Sequence, residues 1–122
     1  MPWPTDGKIA KSFGQSRAGE LTWTGMLIRS KTGQTKSSGN GIVVLAGPLD
    51  GYGLIVAVDH GDDYLSLYAN NKELFVTVGD SVKAGDSLGT IDRESGNLES
   101  ALYFEIRHKG VPLNPAKWLK KR

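Results

Sequence analysis

Short runs of β-branched or alternating residues, set off by glycine-bearing turns, recur along the chain at roughly 8–12 residue spacing. No stretch sustains the 3.6-residue period of a long amphipathic helix. Such a chain has few options beyond an all-β fold, an antiparallel sandwich or barrel. The clearest run is residues 101–110, Ala-Leu-Tyr-Phe-Glu-Ile-Arg-His-Lys-Gly. Leu102, Phe104 and Ile106 alternate there with Tyr103, Glu105 and Arg107, the signature of a half-buried strand, and Lys109-Gly110 supplies a turn to end it.

Residues 8–13, 21–28, 41–47, 53–58, 64–68 and 75–78 also read as strands, with shorter ones around 81–82 and 85–91. Residues 48–53 form a hairpin-like turn between two of them. The polar segment 30–40 reads as an exposed connection, 70–74 as a single helical turn, and 93–100 as a polar loop. In the 64–68 run, alternation sets Tyr68 and Ser66 opposite Leu65 and Leu67.

The chain of 122 residues is one domain, residues 1–122, with room for a single core. A net charge of +2 is too mild to point to nucleic acid, and without cysteine there is no disulfide framework. No apolar run approaches the roughly 18 residues of a membrane-spanning helix. The opening Met1-Pro2-Trp3-Pro4-Thr5 lacks the basic start and apolar middle of a signal peptide. The expectation is a fragment from the C-terminal part of a longer protein.

Catalytic chemistry is thin. His60 and His108 are the two histidines in the sequence, and neither belongs to a His-x-His or His-Glu-x-x-His pattern. His60 is expected to orient a loop through hydrogen bonds, and His108 to be a solvated surface residue. Asp59, Asp62 and Asp63 fall short of a calcium loop. Ser37, Ser38 and Ser66 have no neighbouring histidine in the pattern of an activated nucleophile. The residues therefore suggest no catalytic group, no metal site and no cofactor.

Several stretches, taken together, resemble the LytM/lysostaphin-type zinc endopeptidases: residues 23–28 (Trp-Thr-Gly-Met-Leu-Ile), 51–56 (Gly-Tyr-Gly-Leu-Ile-Val), 59–61 (Asp-His-Gly), 67–69 (Leu-Tyr-Ala), 103–106 (Tyr-Phe-Glu-Ile) and 114–115 (Asn-Pro). The likeness spans residues 3–119. It implies an antiparallel β-sandwich, a barrel-sandwich hybrid with a central groove. In active members a His-x-x-x-Asp motif spans the positions of Trp23 and Leu27, a histidine stands at Asn70, and a His-x-His pair stands at Ala101 and Tyr103. None of those positions holds a ligand here. A catalytic zinc needs about three N, S or O donors and an open site for water, so the resemblance implies a pseudo-enzyme.

Loss of the ligands would leave the groove, with Trp23, Thr24, Leu27, Tyr52, Ile55, Tyr68, Asn70, Ala101, Tyr103 and Arg107 as its residues. An aromatic, apolar surface with an arginine has the make-up of a protein-binding hot spot, and Arg107 is expected to pair with a partner's acidic residue. Residues 19–28, 66–68, 102–107 and 118–119 resemble the EnvC-type murein hydrolase activators more than the NlpD-type. That likeness implies a non-catalytic activator of peptidoglycan amidases in cell division. It would bind the regulatory helix of a periplasmic N-acetylmuramoyl-L-alanine amidase and relieve autoinhibition. It further implies a Gram-negative periplasmic setting and an upstream coiled coil linking the domain to the division machinery. The alternative is a peptidoglycan-binding pseudo-peptidase module that activates nothing.

Overall fold

The computed structural model describes residues 1–17, 19, 21–92 and 101–121. Ten strands lie among them: β1 (Lys8–Lys11), β2 (Met26–Arg29), β3 (Gln34–Lys36), β4 (Gly41–Leu49), β5 (Gly53–Gly61), β6 (Tyr64–Leu74), β7 (Ser81–Val82), β8 (Ser87–Ile91), β9 (Ala101–His108) and β10 (Val111–Leu113). A single 3-10 turn, Pro115–Lys117, follows and is capped by the Asn114 side chain. The main sheet runs β1-β2-β9-β6-β5-β4-β7, with β10 beside β9. Every pairing is antiparallel.

Strand β6 holds the architecture together. From Tyr64 to Ala69 it pairs with β9; from Asn71 to Leu74 it pairs with β8, which in turn pairs with β3. One long strand thereby feeds both the main sheet and a smaller layer. The core contains Met26 and Ile28 from β2, Val56 and Val58 from β5, and Leu102, Phe104 and Ile106 from β9. The small layer contributes Leu88 and Ile91 to the same cluster. An all-β antiparallel fold follows, as the sequence pattern predicts.

The structure departs from the sequence expectations at several points. Segment 30–40 is not an exposed connection: it contains β3, and Thr35, Ser37 and Ser38 are completely buried. Their small polar groups are admitted because most find partners. Thr35 Oγ1 donates to Asn71 Oδ1 at 2.6 Å, Ser37 Oγ to the Gly39 carbonyl, and the Ser38 N–H to the Tyr68 hydroxyl. Residues 70–74 continue β6 instead of forming a helical turn, since Asn71–Leu74 have ladder partners waiting on β8. Residues 75–78 lie outside the strands, with Phe75 and Val78 exposed. Strand β2 begins at Met26; before it, Thr22 makes an isolated bridge to Ser16. The 93–100 loop lies outside the described residues.

Tyr68 is the largest correction. It is 0% exposed and packs against Phe104 with ring centroids 5.3 Å apart. Register explains it: Tyr68 stands opposite Phe104, and Ser66 opposite Ile106, so both must share the core face. Leu65 and Leu67 consequently lie on the other face, opposite Arg107 and Glu105.

Candidate functional site

The face of the main sheet away from the core carries Tyr103, Glu105 and Arg107 of β9. Glu105 is only 1% exposed. One of its oxygens accepts the Tyr103 hydroxyl at 2.5 Å and the other the Arg107 Nε–H at 2.6 Å. Both bonds are charge-assisted and leave neither carboxylate oxygen without a donor. Burial, and then the hydrogen bond to Glu105, push the Tyr103 phenol above its ordinary range. The hydrogen bond to Glu105 likewise holds the Arg107 guanidinium charged more firmly.

Above this floor the Tyr103 ring sits between two others. Trp23 lies at 6.2 Å and Tyr52 at 6.1 Å, centroid to centroid, both tilted. The Thr24 hydroxyl is 3.1 Å from that of Tyr103. Gly25 allows the close approach: a Cβ there would lie 2.6 Å from the Phe104 carbonyl oxygen and 2.9 Å from Tyr103 Cζ. The guanidinium of Arg17 covers the Trp23 ring at 4.0 Å.

Asn70 closes the other side. It adopts a left-handed conformation, φ +72°, which asparagine tolerates better than most residues. Its N–H donates to the Tyr52 carbonyl and its Nδ2 to the Ala101 carbonyl, each at 2.8 Å. The result is a cleft of about 490 Å³ whose walls include Trp23, Leu27, Tyr52, Asn70 and Tyr103.

Of the ten groove residues expected from the sequence, Trp23, Thr24, Leu27, Tyr52, Asn70 and Tyr103 line this cleft together. Ala101 is not part of the lining and is tied to it through its carbonyl, which accepts from Asn70 Nδ2. Ile55 is buried at 3% exposure and is not part of the lining. Tyr68 belongs to the core. Arg107 is paired through Nε with Glu105, remains about one-third exposed, and lies outside the lining. Sequence reasoning missed Arg17 and Glu105. Alternation had placed Glu105 on the right face, but nothing local flags Arg17, which reaches the cleft through a loop.

A catalytic zinc of the kind that active LytM/lysostaphin-type enzymes hold does not fit these side chains. Indole and isobutyl groups offer no lone pair, the Asn70 amide nitrogen is spent on Ala101, and the Tyr103 hydroxyl donates to Glu105. Among the described residues no three of His, Cys, Asp and Glu converge as a metal group. His60 is bound through Nδ1 to the Asn40 carbonyl and through Nε2 to Ser66 Oγ, each at 2.7 Å. His108 is not merely solvated: it stacks on Tyr64 at 4.2 Å, with Trp118 edge-on to Tyr64 at 5.2 Å. Among the described residues, what lines the cleft is aromatic and apolar surface with one cation, Arg17.

Comparison with known proteins agrees with the geometry. The chain is 41% identical over 118 residues to the murein hydrolase activator EnvC of Escherichia coli, covering 96% of this chain and 28% of that protein. It is 41% identical over 122 residues to the murein hydrolase activator NlpD of Salmonella dublin, covering 98% of this chain and 31% of that protein. These identities do not separate the two types, and the chain spans under a third of either relative. The solution structure of lysostaphin superposes with a TM-score of 0.83 at 21% identity, covering 99% of this chain and 55% of that one, a likeness of fold alone. The model of peptidase family M23 matches residues 21–115. With that match, and with the fold in agreement, the chain belongs to peptidase family M23.

Proposed function

We propose that this domain is a non-catalytic activator of cell-wall amidases. It would bind the amidase's regulatory helix in the aromatic cleft and so relieve autoinhibition. The observation that carries this reading is the convergence of Trp23, Leu27, Asn70 and Tyr103 on one cleft. These are the positions where active relatives would hold a metal, and here they form a continuous binding wall. Two relatives whose names describe activators support the same reading. So does hot-spot chemistry, in which tryptophan, tyrosine and arginine dominate interface energies. An amphipathic helix suits such a groove because its anchors recur on one face. Activation then requires only that the cleft binds the helix in the released state better than in the closed one. The periplasm is the setting that fits this role.

Dye release from labelled sacculi tests the proposal, with the domain alone, a purified cell-wall amidase alone, and the two together. Release is expected from the mixture only. Tyr103→Ala, which opens the centre of the wall, should weaken activation by the mixture about thirtyfold, the equivalent of one lost hot spot of about 2 kcal/mol. Full activation by a folded Tyr103→Ala protein would count against the cleft. Binding to sacculi without any activation would favour a peptidoglycan-binding module instead.

A further inference from the structure

We infer that Arg17 is the anchor for an acidic side chain on the segment that occupies the cleft. The partner segment would then present a carboxylate beside its apolar anchor. The inference rests on the proposed function and adds a specificity-determining contact to it.

Arg17 is exposed and sits on a loop that turns back on itself: its N–H donates to the Leu21 carbonyl at 2.9 Å, and Ser16 bridges Thr22. That turn brings the guanidinium over the Trp23 ring. A guanidinium stacked on an indole uses its flat face, while its five N–H donors lie around its edge. The contact with Trp23, 4.0 Å from the guanidinium carbon to the ring centroid, therefore restrains the group without consuming a donor. A carboxylate arriving along the cleft meets a fork that has already lost part of its rotamer freedom, which lowers the cost of pairing.

The charge balance of the cleft points the same way. Arg17 is the one charged side chain among the described residues that line it. No described carboxylate forms an ion pair with it. By contrast, Arg107 is held by Glu105, and both oxygens of Glu105 are engaged. Among the described residues the cleft thus presents a single uncompensated positive charge beside the rings of Trp23, Tyr103 and Tyr52. An acidic residue flanked by apolar ones is the complement of that surface, and charge complementarity of this kind sets partner choice more than total affinity.

The test measures the half-maximal concentration for activating a purified amidase that bears its regulatory helix. The domains compared are wild type, Arg17→Ala and Arg17→Glu. Each is run against wild-type amidase and against amidase variants in which single acidic residues of the helix are changed to arginine. Arg17→Ala should raise the half-maximal concentration about tenfold and Arg17→Glu further, with one amidase variant restoring the Arg17→Glu domain. Thermal melts establish that the domains are folded; if Arg17→Glu melts early, Arg17→Gln replaces it. Wild-type behaviour of folded Arg17→Glu overturns the inference and leaves the activator reading standing. A loss that no amidase variant repairs also overturns it. If the wild-type domain neither binds nor activates the amidase, both readings fall.

Discussion

Tyr68 and Tyr103 stand on adjacent strands, one register step apart, and meet opposite fates. Tyr68 is sealed in the core; its hydroxyl accepts the Ser38 N–H at 2.9 Å and is bonded to Ser66 Oγ at 2.8 Å. Every group it needs comes from this chain, so it serves the fold. Tyr103 also satisfies its hydroxyl internally, on Glu105, but its ring faces the cleft between Trp23 and Tyr52. It is fixed at one end and available at the other. The lesson is that a buried polar tip does not assign a tyrosine to the core. What decides is whether the ring face is covered.

The contrast breaks most visibly in stability. Tyr68→Ala removes a fully buried ring and should destabilise the domain by about 3–5 kcal/mol, enough to abolish activation through unfolding. Urea denaturation of that variant beside Tyr103→Ala would expose an error: equal losses would mean that the two tyrosines do the same job. Arg107→Glu comes next. It places a second carboxylate against buried Glu105 and should cost about 2 kcal/mol, less than a fully buried broken pair because Arg107 is partly exposed. In a domain of this size that corresponds to a fall in Tm of roughly 10 °C. An unchanged melting curve with lost activation would return Arg107 to the binding surface.

The smallest effect lies on the alkaline side. Burial raises both phenols above their ordinary value of 10.0, Tyr103 with the added hydrogen bond to Glu105. A raised pKa in the folded state contributes stability that is complete below pH 10 and is lost as pH climbs through the folded value. Buried Tyr68 should add a slope of up to roughly 1.4 kcal/mol per pH unit above pH 10, and the partly exposed Tyr103 a smaller one. Urea midpoints from pH 8 to 11 should therefore fall at the alkaline end. Tyr103→Phe should flatten that fall, and an unflattened curve would mean that Tyr103 is better solvated than its contacts with Glu105 imply.

Much of this molecule was legible in the sequence. Alternation along residues 101–110 placed Leu102, Phe104 and Ile106 in the core and Tyr103 opposite them, because an apolar row on one face has few other outcomes. The same rule misled at residues 64–68. There the leucines face the groove side and Ser66 and Tyr68 face the core, since hydroxyls with internal partners can be buried where hydropathy predicts exposure. Segment 30–40 was misread for the same reason. Trp23, Leu27, Asn70 and Tyr103 were found through their family positions. Arg17 was invisible because its contact with Trp23 depends on a turn that composition does not announce.

Asn70 makes two parts of the cleft depend on one residue. Its backbone N–H secures Tyr52 and its side chain secures the first residue of β9. A side chain introduced there without an amide N–H would have to abandon the Ala101 clamp. Tyr103 is similarly committed, since replacing it removes a donor from Glu105. A change at either position therefore loses a bond that holds the cleft before it can gain any new contact.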